Sequence, residues 1–445
     1  MKRAIIISIS LFFLNSLIAQ KCSNFSLGTK TPYKSQQVKT NTPLNNYTAV
    51  FINHVGRHGA RHLTKDVNAS LPYNLLMKAD SSDALTAEGK RLKQMVLLLE
   101  KIEKKDFKSI SQLGKIEQQE IAKRMLINNS TVFKNSSSVV KIRVTKEVRT
   151  VQSADAFLNG MKQKINTEDL TKKVDDTTLR FYDLAPSYLA YEKNGNWKTS
   201  FTKLQQLEKY SNITQEVCKR FVTSRFLENL SNEDKDEFAS DIYGFATIIN
   251  SIEKEIQDAG LTVEQVNFQS FFSCKELDIL SKINEAEDFL LKGPGMDANG
   301  IQVKIAAPLL TDFIKTTDGY IQTRAVNVQL RFTHAEAIAP FAALLDLASA
   351  AKAINNISNI NSVWNASAVV PLSANIQWIL YKKNGSDDYL IKVLLNEKNT
   401  AIDGLKTKNF PYYNWGEVRA FYLKKLNTLN AALDGNGFAF LQSVK

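Results

Sequence analysis

The chain has 445 residues, 44% hydrophobic and 23% charged, the balance of a globular protein large enough for more than one domain, and nothing in it suggests long disorder. Its 57 Lys+Arg stand against 45 Asp+Glu, a net charge of +12 that fits either a basic solvated surface or attraction of a polyanion. Recognition-helix, zinc-finger and aromatic RNA motifs are lacking, so nucleic acid is the weakest candidate among polyanions.

Residues 1–19 read as a secretory signal peptide. Lys2 and Arg3 start it, an apolar run over residues 4–17 is broken only by Ser8, Ser10, Asn15 and Ser16, and Ala19 offers a small residue before Gln20. The run is short for a spanning helix, and no second run of spanning length follows. The expectation is a mature chain without a transmembrane segment, secreted or held in the periplasm or cell envelope. Residues 20–46, rich in Ser, Thr, Asn, Lys and Pro, read as an irregular lead-in. The cysteines are Cys22, Cys218 and Cys274. An exported chain can keep a disulfide, and Cys218 with Cys274, both in the helical middle of the chain, is the candidate pair. Cys22 near the cleavage site hints at a lipoprotein, but Gln20 and Lys21 stand where small residues would be required.

Residues 47–165 read as the first part of an α/β domain. The apolar, β-branched run over 48–55 predicts a buried strand that feeds into Gly56-Arg57-His58-Gly59. A glycine-bearing turn at the C-terminal end of a strand is where open α/β sheets place ligands. Residues 86–100 predict a helix with Leu92, Met95, Val96 and Leu99 on one face. A second helix is predicted over 112–126, a strand over 139–144, and a helix over 147–161 with Arg149 in its first turn. Strand signals are few over 166–291, where helices are predicted at 213–230, 234–259 and within 263–290. This stretch reads as a mostly α-helical domain inserted into the α/β domain. Lys292-Gly293-Pro294-Gly295 makes the turn on which the chain returns. Residues 292–445 complete the α/β domain, with a helix at 303–313, a strand at 325–332 ending at His334, and a helix over 337–353. A hairpin at 376–381 and 390–395 and a last helix at 417–433 follow.

The chain has only four histidines, three of them (His54, His58, His62) within nine residues and the fourth in Thr333-His334-Ala335-Glu336. Spaced every four residues, the three would make a metal face on a helix, but the strand pattern and the glycines argue against a helix there. Guanidiniums at Arg57 and Arg61 would clamp a phosphoryl group. An imidazole among cations stays neutral and is a competent nucleophile toward phosphorus. The Gly59 carbonyl would accept the proton of one ring nitrogen and aim the other. His334 would donate to a phosphate oxygen, and Glu336 would protonate the leaving alcohol. His54 reads as strand structure.

Arg57-His58-Gly59-Ala60-Arg61-His62 resembles the Arg-His-Gly-x-Arg-x-Pro signature of the histidine acid phosphatases, the clade-two histidine phosphatases. Thr333-His334-Ala335-Glu336 resembles the His-Ala-Glu motif of one branch, the multiple inositol polyphosphate phosphatases, where most other members carry His-Asp. Arg149, in Val148-Arg149-Thr150-Val151, resembles the family's third phosphate arginine. Residues 85–89, 113–117, 370–375 and 393–397 resemble further family segments in order. The likeness spans residues 48–422. Leu63 departs from the signature proline. Arg180, in Leu179-Arg180-Phe181-Tyr182-Asp183, resembles an arginine that reaches substrate from the start of the family's helical domain.

The resemblance implies a histidine-phosphatase-like α/β sheet domain with an inserted mostly α-helical domain and the site between them. It implies a phosphohistidine at His58, phosphate held by Arg57, Arg61, Arg149 and His334, and Glu336 as the acid. Arg180 is a substrate contact by the same likeness, and His62 at most a substrate contact lining the mouth. No metal or other cofactor is needed, because arginines neutralise the phosphate. The expected activity is an exported phosphomonoesterase acting on phytate and other inositol polyphosphates. Two alternatives stay open: a sugar-phosphate or broad monoester phosphatase of the same fold, and a non-catalytic binder of phosphorylated ligands, which would have lost the nucleophile or the acid.

Overall fold

The predicted strand over 48–55 lies at the centre of the molecule. In the computed structural model, which describes residues 22, 25–35, 44–134, 138–165 and 170–445, it is strand β1 (Tyr47–Arg57). Successive side chains of a strand face opposite ways. Accordingly Phe51 and Val55 join one hydrophobic core and Ile52 the other. His54 follows Ile52, with its ring 5.2 Å from that of Phe157 and 5.7 Å from that of Phe332.

Strands β2 (Val140–Val144), β3 (Lys172–Val174), β4 (Val328–Thr333), β5 (Asn375–Lys383), β6 (Tyr389–Leu395) and β7 (Lys398–Asn399) form with β1 the path β3-β2-β4-β1-β5-β6-β7. Strand β8 (Tyr412–Asn414) pairs with β6. The half from β3 to β1 is parallel, and β5 onward is antiparallel. Both faces of such a sheet must be covered. Helices α1 (Leu71–Ser81) and α2 (Ala87–Glu103) precede the two that cover one face, α3 (Gln112–Asn128) and α4 (Val148–Met161). These two contribute Ile121, Met125, Phe157 and Met161 to the smaller core. The larger core is continuous from the other face, through the helices Ala307–Thr323, Ala335–Leu344 and Trp415–Thr428, into the helical region ending at Leu291.

Several expectations are refined. The helix over 213–230 is two pieces, Tyr210–Lys219 and Ser224–Leu227. The helix expected to end at 353 stops at Leu344, and Asp346 takes a left-handed backbone (φ 52°) just beyond it. Strand β3 belongs to the sheet although residues 166–291 read as the helical insertion; three polar-flanked residues give no strand signal of their own. The cysteine pairing is corrected: Cys22 bonds Cys274, with Cα atoms 5.3 Å apart, and Cys218 is free and buried. Cys218 lies on the packed side of its helix with Thr214 and Val217, where burial holds its thiol up at about 12.

The lead-in is less irregular than its composition suggests. Gly28–Lys30 is a short helical turn, and the Phe25 ring packs edge-on against Tyr243 at 6.0 Å. The expected signal peptide, residues 1–19, lies outside the described residues. Among the described residues no helix is long and apolar enough to cross a membrane.

Candidate functional site

Strands β1 and β4 end side by side, Arg57 opposite Thr333, and each hands a histidine to the same edge. The backbone N–H of His58 donates to the Thr333 carbonyl at 2.9 Å, and its carbonyl accepts from Ser373 N–H at 3.0 Å. His58 Nδ1 stands 3.0 Å from the Gly59 carbonyl oxygen. His334 caps the Ala335–Leu344 helix, and Glu336 lies in that helix's first turn. The two imidazole rings are 5.5 Å apart. His334 Nε2 meets Thr145 Oγ1 at 2.9 Å, and its Nδ1 is buried without a partner among the described residues.

Helix α3 docks its first turn on the loop after His58. A Cβ on Gly59 would stand 2.6 Å from the Gly114 carbonyl oxygen, and one on Gly114 would stand 2.0 Å from that of Ala60, so neither position admits a side chain. Glu117 then gathers the loop: its carboxylate accepts from Ala60 N–H at 2.8 Å, Tyr33 N–H at 2.7 Å and Ser373 Oγ at 2.7 Å. Gln118 donates to the Arg57 carbonyl and to Ser373 Oγ, both at 3.0 Å. From α4, Ser153 accepts from Gly59 N–H at 3.0 Å and donates to the Arg149 carbonyl at 2.6 Å.

Three guanidiniums converge here, each anchored through one nitrogen. Arg57 Nη1 donates to the carbonyls of Thr29 (2.6 Å) and Val370 (2.7 Å). Arg61 Nη1 donates to the His62 carbonyl at 2.7 Å, and Arg149 Nη1 pairs with Glu147 at 3.0 Å. Among the described residues the Nε of all three is buried without a partner. Burial lowers Arg57 to about 10 and Arg61 to about 9, with the charges of Arg57 and Arg149 adding to the effect on Arg61. Burial and then the charges of Arg57, Arg61, His334 and Arg149 push His58 well below the usual histidine range. Burial, followed by Arg149, takes His334 down to about 3. Buried cations with free N–H donors around a neutral imidazole suit an anion with several oxygens.

Of the remaining expected residues, Arg180 comes to the edge of this cluster. It pairs with Glu147, which Arg149 shares, and with Asp183 at 2.5 Å. His62 turns the other way. Residue 61 bridges to Ile110, and the His62 ring is enclosed, with Nδ1 3.2 Å from Glu103 and Nε2 3.8 Å from Glu255. Its nitrogens face carboxylates, which is not the substrate-contact position expected. His54, buried and lowered to about 3 by burial and then Arg331, stays neutral in the core. The three clustered histidines thus occupy three separate environments.

The sequence reading misses Lys30, Lys292, Asp288 and Glu147. Lys30 carries the strongest sign of its place: the charge of Arg61, then burial, then Arg57, hold its ammonium well below the lysine range. Lys292 opens the Lys-Gly-Pro-Gly turn and stands 3.1 Å from Glu336 and 2.6 Å from Asp288. A cavity of about 560 Å³ opens at the opposite end of β1, between Tyr47, Tyr381, Lys392 and Tyr412, and none of the expected site residues lines it.

No curated protein sequence matches the chain significantly. Among solved structures the fold is similar to a Bifidobacterium longum multiple inositol polyphosphate phosphatase bound to inositol hexasulfate, with TM-score 0.78 and 18% identity over 91% of this chain and 97% of that one. It is also similar to the D. castellii phytase (TM-score 0.63, 14% identity, 90% and 84% coverage) and the Citrobacter braakii phytase (0.52, 13%, 85% and 98%). The sequence model of the histidine phosphatase superfamily (branch 2) matches residues 50–396. With that match over most of its length, and both histidine motifs at adjoining strand ends, the chain belongs to branch 2 of the histidine phosphatase superfamily.

Proposed function

We propose that the protein is a phosphomonoesterase that releases phosphate from phytate and other inositol polyphosphates through a phosphohistidine at His58. The observation that carries this reading is the set of three buried guanidiniums, each with an Nε unpartnered among the described residues, around an imidazole whose Nδ1 faces a carbonyl. A carbonyl only accepts, so Nδ1 holds the hydrogen and Nε2 keeps its lone pair. In the proposed reaction Nε2 attacks phosphorus while Arg57, Arg61, Arg149 and His334 hold the non-bridging oxygens. The P–O ester bond breaks, and the leaving oxygen takes a proton from Glu336. Water then attacks the phosphohistidine, the P–N bond breaks, and Glu336 accepts the proton that water loses.

Preference for a polyphosphorylated substrate is supported by Lys292, a cation beyond the three arginines, by the Lys30 amine, which an incoming anion would help to charge, and by the net charge of +12. Arg180 lies at the rim and would meet a neighbouring phosphate. The solved proteins whose fold this chain shares include a multiple inositol polyphosphate phosphatase and phytases. A location outside the cytoplasm is supported by the Cys22–Cys274 disulfide. The test is incubation of the purified protein with phytate, with inositol phosphates separated over time. Stepwise release of phosphate is expected, and no release from phytate alongside turnover of sugar phosphates would move the assignment to the narrower phosphatase.

A further inference from the structure

Glu336 is the carboxyl that the site offers as proton donor, yet it rests in an ion pair. Its Oε1 stands 3.1 Å from Lys292 Nζ. Lys292 is the C-cap of the Cys274–Leu291 helix, so the pair ties the first turn of the Ala335–Leu344 helix to the end of an inserted helix. The same ammonium donates to Asp288 at 2.6 Å, so one lysine serves two carboxylates. The other titratable groups around Glu336 are His334 and Arg57 at the strand ends, Arg61 in the loop, and Tyr182 and Tyr188 from the segment after Arg180. Burial alone would raise the Glu336 carboxyl, but Lys292 first, then His334 and Arg57, hold it well below the usual carboxylate range. A carboxylate in that state has no proton for an alkoxide.

We propose that Lys292 is a positioning residue that makes proton donation by Glu336 depend on a substrate carrying a second phosphate. The proposal rests on the phosphohistidine reading above. A phosphate beside the scissile one presents several acceptor oxygens and up to two charges, and competes for the ammonium better than one carboxylate does. Lys30 feels the charges of Arg61 and Arg57, which with burial hold its ammonium well below the lysine range, so a phosphate that offsets those arginines favours its charged form. Once Lys292 pairs with that phosphate, Glu336 has lost its counter-ion and gained an anionic neighbour. Both changes favour its neutral form, and it takes one proton from solvent. That proton passes to the leaving oxygen as the His58 Nε2–P bond forms and the P–O bond breaks. Glu336 is again a carboxylate, and Lys292 returns to it when product leaves. A simple alkyl monophosphate brings no second phosphate and meets an ionised Glu336.

The test is the pH dependence of kcat on phytate, on glycerol 2-phosphate and on p-nitrophenyl phosphate, for the unmodified enzyme, Lys292→Met and Asp288→Asn. In the unmodified enzyme the alkaline limb for phytate is expected about one pH unit or more above that for glycerol 2-phosphate. Lys292→Met should bring the two limbs together, raise the KM for phytate, and raise the glycerol 2-phosphate to p-nitrophenyl phosphate rate ratio near neutral pH several-fold. Asp288→Asn leaves Lys292 to Glu336 alone and should move the glycerol 2-phosphate limb to lower pH. Coincident limbs in the unmodified enzyme would overturn the proposal, as would a Lys292→Met ratio that falls. If Lys292→Met does not fold, Asp288→Asn decides alone: a limb that stays or rises overturns it. Absence of turnover on p-nitrophenyl phosphate by the unmodified enzyme would instead remove the phosphohistidine reading, because that ester requires no acid.

Discussion

His58 Nδ1 faces the carbonyl of the very next residue, Gly59, at 3.0 Å. The contact is local, so the ring's tautomer is set by the same turn that carries the side chain off the end of β1. It leaves Nε2 with a lone pair, on a ring that burial and then the neighbouring cations keep neutral. His58→Ala should therefore lower phosphate release from any ester by on the order of 10⁴-fold or more. Labelled phosphate should no longer be trapped on the protein in alkali, where phosphohistidine survives. A variant that keeps full turnover would sink the nucleophile assignment.

A proton-donating role for Glu336, as proposed, should divide substrates by their leaving group. Glu336→Gln should cost alkyl phosphates about 10²–10⁴-fold in kcat and p-nitrophenyl phosphate much less, since a stable phenolate leaves without a proton. The comparison is made by steady-state kinetics on both esters. Equal losses would mean that the carboxyl binds substrate and does not donate to it.

What the sequence carries about this site is local. The run before Gly56 and the strand before His334 declare themselves by composition, and each ends at its histidine, so both motifs can be placed at strand ends. Glycine at 59 and at 114 is in the sequence too, but that the two backbones touch is not. Lys30, Glu147 and Lys292 occupy turns and helix ends without periodic pattern. Their place follows from long-range contacts, such as Arg57 with the Thr29 carbonyl and Lys292 with Glu336. His62 shows the limit from the other side. It belongs to the motif by position, but two distant carboxylates decide which way it faces.

That enclosure gives His62 a pH signature opposite to that of the other histidines. Burial disfavours its charged form, but the hydrogen bond and charge of Glu103, with the charges of Glu255 and Asp106, outweigh burial and raise its pKa. A group raised on folding stabilises the native state below its unfolded value, about 6.5, and that contribution is lost as pH rises through the folded value. His54 and His334, held down at about 3, and His58, also lowered, do the reverse. Their contribution is present above about pH 6.5 and is lost as pH falls through their folded values, about 3 for His54 and His334. Glu103→Gln should therefore lower Tm most below about pH 6.5, with the gap to the unmodified protein narrowing as pH rises through the folded value of His62. Melting curves across that range are the check, and a constant gap would mean that His62 is not charged in the fold.

The Cys22–Cys274 bond closes 252 residues of sequence separation, joining the N-terminal segment to the first residue of the Cys274–Leu291 helix. By restricting the unfolded chain a bond of this kind contributes roughly 2–4 kcal/mol. Here it also has a route to the site. The segment it tethers supplies the Thr29 carbonyl that anchors Arg57, the Tyr33 N–H held by Glu117, and Lys30. Reduction, or Cys22→Ser, should lower Tm by a few degrees. It should also raise the KM for phytate more than it lowers kcat, because His58 and Glu336 sit on other elements. Cys218→Ser serves as the control, since Cys218 lies in the larger core and forms no disulfide. If reductant changes neither Tm nor KM, the tether does not hold the segment in place, and Lys30 reaches the site through its own packing alone.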